Sequence, residues 1–446
     1  MGHVVNADHQ HRLLQQQLDR TVCGAPDSPE LMKILHFLFS EEDAELARRL
    51  PGSPTSLSDL TAKLAVERNA LGDRLDAMAR RGLVFDFMLG EEHYYALAPM
   101  VIGLFEFTFM RARDDLPMAE LARLFEACTA QDDRFVNSLF GRAKEIGGAT
   151  QIGRALVREE TLPGLDHTAS DHTVILDWQR ASRIVESATA IGVSQCSCRH
   201  KAEHLGKACD APQRCCLSLN YAGESLIRNG FAEPISTDEA LRILGQCKEA
   251  GLMQIGDNVR RKLTYICNCC SCCCEMIGAI KTHNLRGAVV TSAWIARADE
   301  PKCRACGKCV EACPVDAIEI VEEATGQKPR KWAKVEENLC LGCGVCHASC
   351  KFGALSMQHR RQQAYTPETV FDRILAMAVE RGKLSELLFE NHERLSHRAL
   401  LRIAKVVEHS PFFKAAMAIK PLRSAFLERA VAAAKKKMGP IAETFE

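Results

Sequence analysis

The sequence predicts a multidomain α+β protein, and three observations carry that reading. Its 446 residues exceed what one hydrophobic core usually organises. Its 22 cysteines are crowded: apart from Cys23 and Cys128, all lie between Cys196 and Cys350. That thiol-rich middle is flanked by segments whose apolar residues recur mainly at helical spacing.

The composition is ordinary for a globular chain, with 47% apolar and 26% charged residues and 57 basic against 57 acidic side chains. No global field therefore points to nucleic acid or a membrane. The first twenty residues are polar and lack the apolar stretch of a secretory signal, so a reduced cytoplasm is the expected location. The longest apolar run, Met100 to Met110, is shorter than the roughly twenty residues of a spanning helix. In a reduced compartment, clustered thiols are expected as metal ligands rather than disulfides. Several redox centres would suit an oxygen-poor, anaerobic cell.

Six regions follow in order. Residues 1–28 form a polar arm. Over 29–100 the pattern is three helices, with Ser28 placed to cap the first, then two short strands turning at Leu89–Gly90. The stretch from SLSDLTAKLAV to LVFDFMLGEEHYYAL resembles a winged-helix domain. Ser56 to Met100 holds five Lys/Arg against seven Asp/Glu, so docking or dimerisation is expected and DNA contact through Arg68, Arg74, Arg80 and Arg81 is disfavoured. Residues 101–190 are expected to be helical, and 191–290 form a cysteine-rich domain. There Ser236–Glu239 reads as a capping box opening a helix that stops at Gly251, which leaves Cys247 as a buried helical residue rather than a ligand. Residues 291–360 carry the most specific motif, and 361–446 form a basic helical tail. From Arg394 to Lys437 the tail has eleven Lys/Arg against two Asp/Glu, divided by Pro411 and Pro421. Such a helix suits an anionic membrane surface, at the inner face, or an acidic partner as well as its own protein.

The specific motif is Cys303-x2-Cys306-x2-Cys309-x3-Cys313-Pro314, repeated 37 residues later as Cys340-x2-Cys343-x2-Cys346-x3-Cys350. Three thiolates so spaced wrap three irons of a cubane, and the fourth cysteine reaches the other cluster. Cluster A should then use Cys303, Cys306, Cys309 and Cys350, and cluster B Cys340, Cys343, Cys346 and Cys313. Gly307, Gly342 and Gly344 let the backbone fold tightly around the sulfurs. A pair of zinc sites is the competing reading, against which the repeated triple spacing weighs.

Residues 298–358, with CRACGKCVEACPVDAI and CLGCGVCHASCKFGAL, resemble the two-cluster bacterial ferredoxins. The resemblance implies a small α+β fold, two [4Fe–4S] clusters and one-electron transfer at low potential. Lys351 replaces the usual proline, and the insertion EEATGQKPRKW separates the two halves. Both mark places where a partner could dock.

Two further constellations lie upstream. Cys196, Cys198, Cys209, Cys215 and Cys216 are interleaved with Arg199, His200, Lys201 and Lys207, an electropositive setting that lowers thiol pKa values. A third [4Fe–4S] cluster is the preferred reading, with Cys216 chosen over Cys215, and zinc or redox-active thiols as alternatives. Then come Cys267, Cys269, Cys270, Cys272, Cys273 and Cys274. If that segment is extended, Cys270, Cys272 and Cys274 point one way and Cys267, Cys269 and Cys273 the other, so one strand could serve two centres. One or two additional clusters are thus expected. The order CxCRH, GKACDAP, CCLSLN, CNCCSCCC and GAVVTSAWIARAD resembles a family of multi-cluster iron–sulfur proteins of anaerobic bacteria, which implies electron transfer.

No G-x-G-x-x-G follows a strand and no G-x-x-x-x-G-K-[ST] occurs, so nicotinamide binding and P-loop hydrolysis lack support. His200, His204 and His347, beside cysteine motifs, read as exposed polar residues. The expected function is an electron-transfer subunit of an oxidoreductase system, serving redox protein partners, with no catalytic acid or base. Competing readings are a redox-sensing DNA-binding regulator and a reductase acting at CNCCSCCC.

Overall fold

The computed structural model describes residues 8–141, 150–162, 177–325, 328–389, 395–418 and 425–433. The chain divides into two units, the first comprising 1–141, 224–232 and 368–446, the second 142–223 and 233–367. Helix and sheet are mixed, and all 22 cysteines are free.

In the first unit, helices α1 (His9–Arg20), α2 (Pro29–Leu38) and α3 (Glu41–Ala47) precede strand β1 (Thr55–Ser56), helices α4 (Leu57–Leu64) and α5 (Arg68–Arg81), and strands β2 (Val84–Leu89) and β3 (Glu92–Leu97). Three of these helices start on a serine whose hydroxyl satisfies an amide the helix cannot: Ser28 accepts from Leu31 N at 3.1 Å, and Ser40 and Ser56 cap α3 and α4 alike. Apolar residues at helical spacing, among them Leu31, Ile34, Leu35, Leu60, Leu71, Leu75 and Met78, are buried as one side of the bundle. The hairpin closes at Gly90 with φ +60°, opposing Leu89 to Glu92, and β1 adds to its β3 edge.

The apolar run at Met100–Met110 becomes a short helix, Phe105–Phe109, whose three phenylalanines are buried. Among the described residues, no helix is long and apolar enough to cross a membrane. Later in the chain, Thr369 and Asp372 form a capping box that opens the helix Val370–Arg381. The helices Leu384–Leu388, Leu395–His409 and Pro411–Ala418 follow, Pro411 taking a helix-opening position; Pro421 and the lysines 435–437 lie outside the described residues.

The second unit is built on a six-stranded antiparallel sheet of β4 (Gly153–Ala155), β5 (Ile191–Gln195), β6 (Arg214–Leu219), β7 (Glu233–Pro234), β8 (Met253–Asp257) and β9 (Tyr265–Cys269), in the spatial order β4-β8-β9-β6-β5-β7. Residues 101–190 are therefore not helical throughout. β4 has only three residues, too few for a period-two pattern to register, and its pairing with β8 is a tertiary choice. The helix Thr237–Glu249 starts on Ser236, which accepts from Glu239 N at 3.2 Å, and ends near Gly251 at φ +75° with Cys247 fully buried. Beyond it, β10 (Trp294–Ala298) pairs with β13 (Leu355–His359), and β11 (Ile318–Thr325) with β12 (Lys328–Val335). The inserted segment thus supplies the outer part of a hairpin whose arms are eight residues each.

Candidate metal centres

The repeated cysteine motif folds as two interlocked loops. Cys303, Cys306 and Cys309 lie on the loop that runs into the helix Lys308–Ala312, and Cys340, Cys343 and Cys346 on the one that runs into Val345–Ala348. Both helices are entered through glycine in the left-handed region, Gly307 at φ +77° and Gly344 at φ +80°. At Gly342 the backbone passes so close to β10 that a Cβ would stand 1.9 Å from Trp294 O. Each motif's last cysteine follows its helix and turns towards the other loop. Cys303, Cys306, Cys309 and Cys350 line one cavity, together with Ile320, Leu355 and Phe352. Cys313 lies with Cys340, Cys343 and Cys346, and Cys346 also faces Cys309 of the first set.

The donors suit an iron–sulfur cluster. Burial pushes the Cys309 and Cys313 thiols up, and that of Cys343 up to about 12, so bare thiolates are disfavoured and a cation is what makes them stable. Backbone amides already donate to the sulfurs: Ala305 and Ala333 to Cys303 Sγ at 3.4 and 3.3 Å, and Ala317 to Cys313 Sγ at 3.2 Å. Two arginines that no local motif marks complete the surroundings. Arg158 is buried, its amide donates to Cys343 O at 3.1 Å, and its charge faces Cys343 and Cys346. Arg360 donates to Cys340 O. Arg158 is contributed by the loop after β4, far away in sequence, and carries no signal a sequence pattern could show.

Upstream, the sheet assembles the remaining thiols. β5 leads directly into Cys196, β6 carries Cys215 and Cys216, and β9 carries Cys267 and Cys269; β6 lies between β5 and β9, so three distant cysteine segments meet at neighbouring strand ends. Cys196 stands within hydrogen-bonding reach of Cys198, Cys215 and Cys216, and these contacts hold its thiol well below the ordinary range. Cys216 reaches Cys267, Cys269 reaches both Cys267 and Cys274, and Cys274 reaches Cys198. Hydrogen bonds from Cys216 and Cys269 bring Cys267 down to about 6. Cys215, which also reaches Cys196 and Cys216, extends the group to Cys247 and to Arg199, whose Nη2 lies 2.6 Å from Cys215 Sγ.

The expected alternation along residues 267–274 does not occur. β9 stops at Cys269 and residues 271–273 form a turn, so period-two geometry ends there. Cys274 consequently joins Cys267 and Cys269, while Cys270, Cys272 and Cys273 gather with Cys209. Cys209 is thereby separated from Cys196, Cys198 and Cys216, with which sequence proximity had grouped it.

Of the basic residues interleaved with these thiols, Arg199 lies directly against them. It is 0% exposed and donates to Asn268 O at 3.1 Å and Pro212 O at 2.7 Å. Burial opposes its charge, but Cys196, Cys215 and Cys270 around it keep it protonated. Lys201 is buried in an ion pair with Glu275. The His200 ring lies 4.9 Å from that of His204, tilted by 38°, and His200 is buried rather than exposed; Lys207 is exposed.

The sequence pattern of the 4Fe-4S dicluster domain family matches residues 302–370. No curated protein and no solved structure matches the chain. The match covers the two interlocked loops and not the thiols upstream, which the chain's own geometry must explain. Residues 302–370 form a ferredoxin-type module, and the protein is an iron–sulfur protein that binds [4Fe–4S] clusters and is built for electron transfer.

Proposed function

We propose that the chain is an electron-transfer subunit that passes single electrons through clusters A and B of the ferredoxin module and a third [4Fe–4S] cluster to a redox protein partner in anaerobic metabolism. Cluster A would be held by Cys303, Cys306, Cys309 and Cys350, cluster B by Cys313, Cys340, Cys343 and Cys346, and the third by four of Cys196, Cys198, Cys216, Cys267, Cys269 and Cys274. A bound cluster supplies one-electron chemistry at a potential set by its protein surroundings. The observation that carries the reading is the crossed placement of the last cysteines: Cys350 lines the cavity of Cys303, Cys306 and Cys309, and Cys313 lies with Cys340, Cys343 and Cys346.

The chain's own groups favour the added electron. Amide donors to Cys303 and Cys313 and the buried charge of Arg158 beside Cys343 all stabilise negative charge at the sulfurs. Cys306 is exposed and Phe352, lining the same cavity, is 50% exposed, which supports electron exit at cluster A. Lys351 and the β11–β12 hairpin would give a partner its footing there.

The order α2-α3-β1-α4-α5-β2-β3 supports a winged-helix-like domain used for docking rather than for DNA. Arg68 is tied to Glu92 at 3.2 Å, and Arg81 and Arg74 to Asp43 at 2.5 and 3.8 Å, so most of the basic side chains a DNA reader would need are already paired. In the tail, the helix Leu395–His409 exposes Leu400, Ile403, Val406 and Val407 beside Arg402, which supports peripheral contact with an anionic surface or an acidic partner.

Iron and acid-labile sulfide counts on anaerobically purified protein, with EPR of the reduced form, test the relay. About twelve sulfides per chain are expected. A count near eight would remove the third cluster, and the absence of any reduced-cluster signal would remove the relay.

A further inference from the structure

The four thiols of Cys209, Cys270, Cys272 and Cys273 all lie within 4.8 Å of one another. Cys272 and Cys273 sulfurs are 3.6 Å apart, and Cys273 and Cys209 sulfurs 4.0 Å. Size decides what such a cage can hold. Metal–thiolate bonds of about 2.3 Å at tetrahedral angles put ligand sulfurs about 3.8 Å apart. The thiolates of a cubane sit outside four irons at its corners, which spreads them to roughly 6 Å. The observed cage fits one ion and is too tight for a cluster.

The surroundings fit the same conclusion. The Ala211 amide donates to Cys209 Sγ and the Cys209 amide to Cys273 Sγ, the kind of contact that orients ligands and spreads their charge. A divalent ion with four thiolates is left with two negative charges, and the buried Arg199 guanidinium hydrogen-bonds Cys270. Cys209 comes from the loop before β6 and the other three from the turn after β9, so an ion here ties the two loops at one end of the paired strands β6 and β9. The same turn delivers Cys274 to the neighbouring thiol set.

We propose that Cys209, Cys270, Cys272 and Cys273 bind one mononuclear divalent metal ion, zinc or iron, as a tetrahedral tetrathiolate distinct from every cluster. The site's role is to hold the loop before β6 against the turn after β9. It stands apart from the relay reading, because it needs no electron transfer.

The test uses the full chain, purified without oxygen, with elemental analysis for zinc and iron and acid-labile sulfide on the same sample. Clusters contain iron and sulfide in equal number, so a mononuclear ion appears as metal in excess of sulfide by about one per chain. Zinc or iron as the excess metal tells the two ions apart, and either supports the site. The double variant Cys209→Ser/Cys272→Ser is expected to lose that excess while sulfide and the reduced-cluster EPR signal stay unchanged. Equal metal and sulfide in the unaltered protein overturns the proposal, as does a variant that keeps the excess or loses iron and sulfide together in fours. If the variant does not fold, the excess in the unaltered protein still decides. Failure of the relay would show separately, as a missing reduced-cluster signal with the metal excess intact.

Discussion

Arg158 and Gly342 show how single residues outside the cysteine pattern act on the clusters. Arg158 is a buried cation facing Cys343 and Cys346, so it favours the more negative, reduced state of anything those sulfurs hold. Replacing it in Arg158→Met should move the potential of cluster B to more negative values, on the order of tens of millivolts, in an EPR-monitored redox titration. Cluster A should move less. Gly342 combines φ +73° with a Cβ position occupied by Trp294 O. Gly342→Ala should destabilise the module by about 2 kcal/mol or more, read as earlier cluster loss in a denaturant titration followed by visible absorbance. The repeated cysteine spacing named the residues the amide donors would serve, but nothing local pointed to Arg158. Its approach depends on the pairing of β4 with β8.

At the scale of elements, the β2–β3 hairpin of the first unit is anchored through Asp86. Its carboxylate is 2% exposed, meets His93 Nε2 at 2.7 Å, and accepts from Ser225 Oγ at 2.8 Å, Arg228 Nη2 at 2.7 Å and Asn229 Nδ2 at 2.6 Å. Burial alone would raise its pKa, but His93, Arg228 and Ser225 outweigh burial and hold it below the usual carboxylate value. A depressed folded-state pKa gives stability that is present above the unfolded value of about 3.9 and lost as pH falls through the folded one. Asp86→Ala should cost about 3 kcal/mol in denaturant unfolding at neutral pH, because it leaves Arg228 and its neighbours without their buried acceptor. That loss should shrink as pH falls below about 4, where the unfolded carboxylate takes up its proton, and vanish once pH passes the lower folded-state value. The hairpin itself was legible from alternation and Gly90; its anchor, drawn from residues 225–229, was not.

For the whole molecule, the two units differ in what holds them. The first packs ordinary apolar residues such as Ile34, Leu35, Leu60 and Leu75, whereas the ferredoxin module rests on two short sheets and two helices of five and four residues around its thiols. Metal release by a chelator under oxidising conditions should therefore open residues 291–360 to limited proteolysis while the segment 29–97 stays protected, as mass spectrometry of the fragments would show. Equal loss of both segments would argue that the clusters support the entire chain.

The sequence by itself determined the dicluster module, the serine caps at Ser28 and Ser236, the hairpin at Gly90 and the burial of Cys247 on a helix, because each is a local pattern of spacing, capping or turn chemistry. It also grouped Cys209 with Cys196, Cys198 and Cys216 and assumed an extended run through Cys274. Only the tertiary structure decided otherwise. Neighbouring strands β5, β6 and β9 bring distant thiols to one end of a sheet, and the end of β9 at Cys269 breaks the alternation on which that assumption rested. Which sulfurs share a metal depends on strand order and on where a strand stops, and neither is encoded in the spacing of the cysteines along the chain.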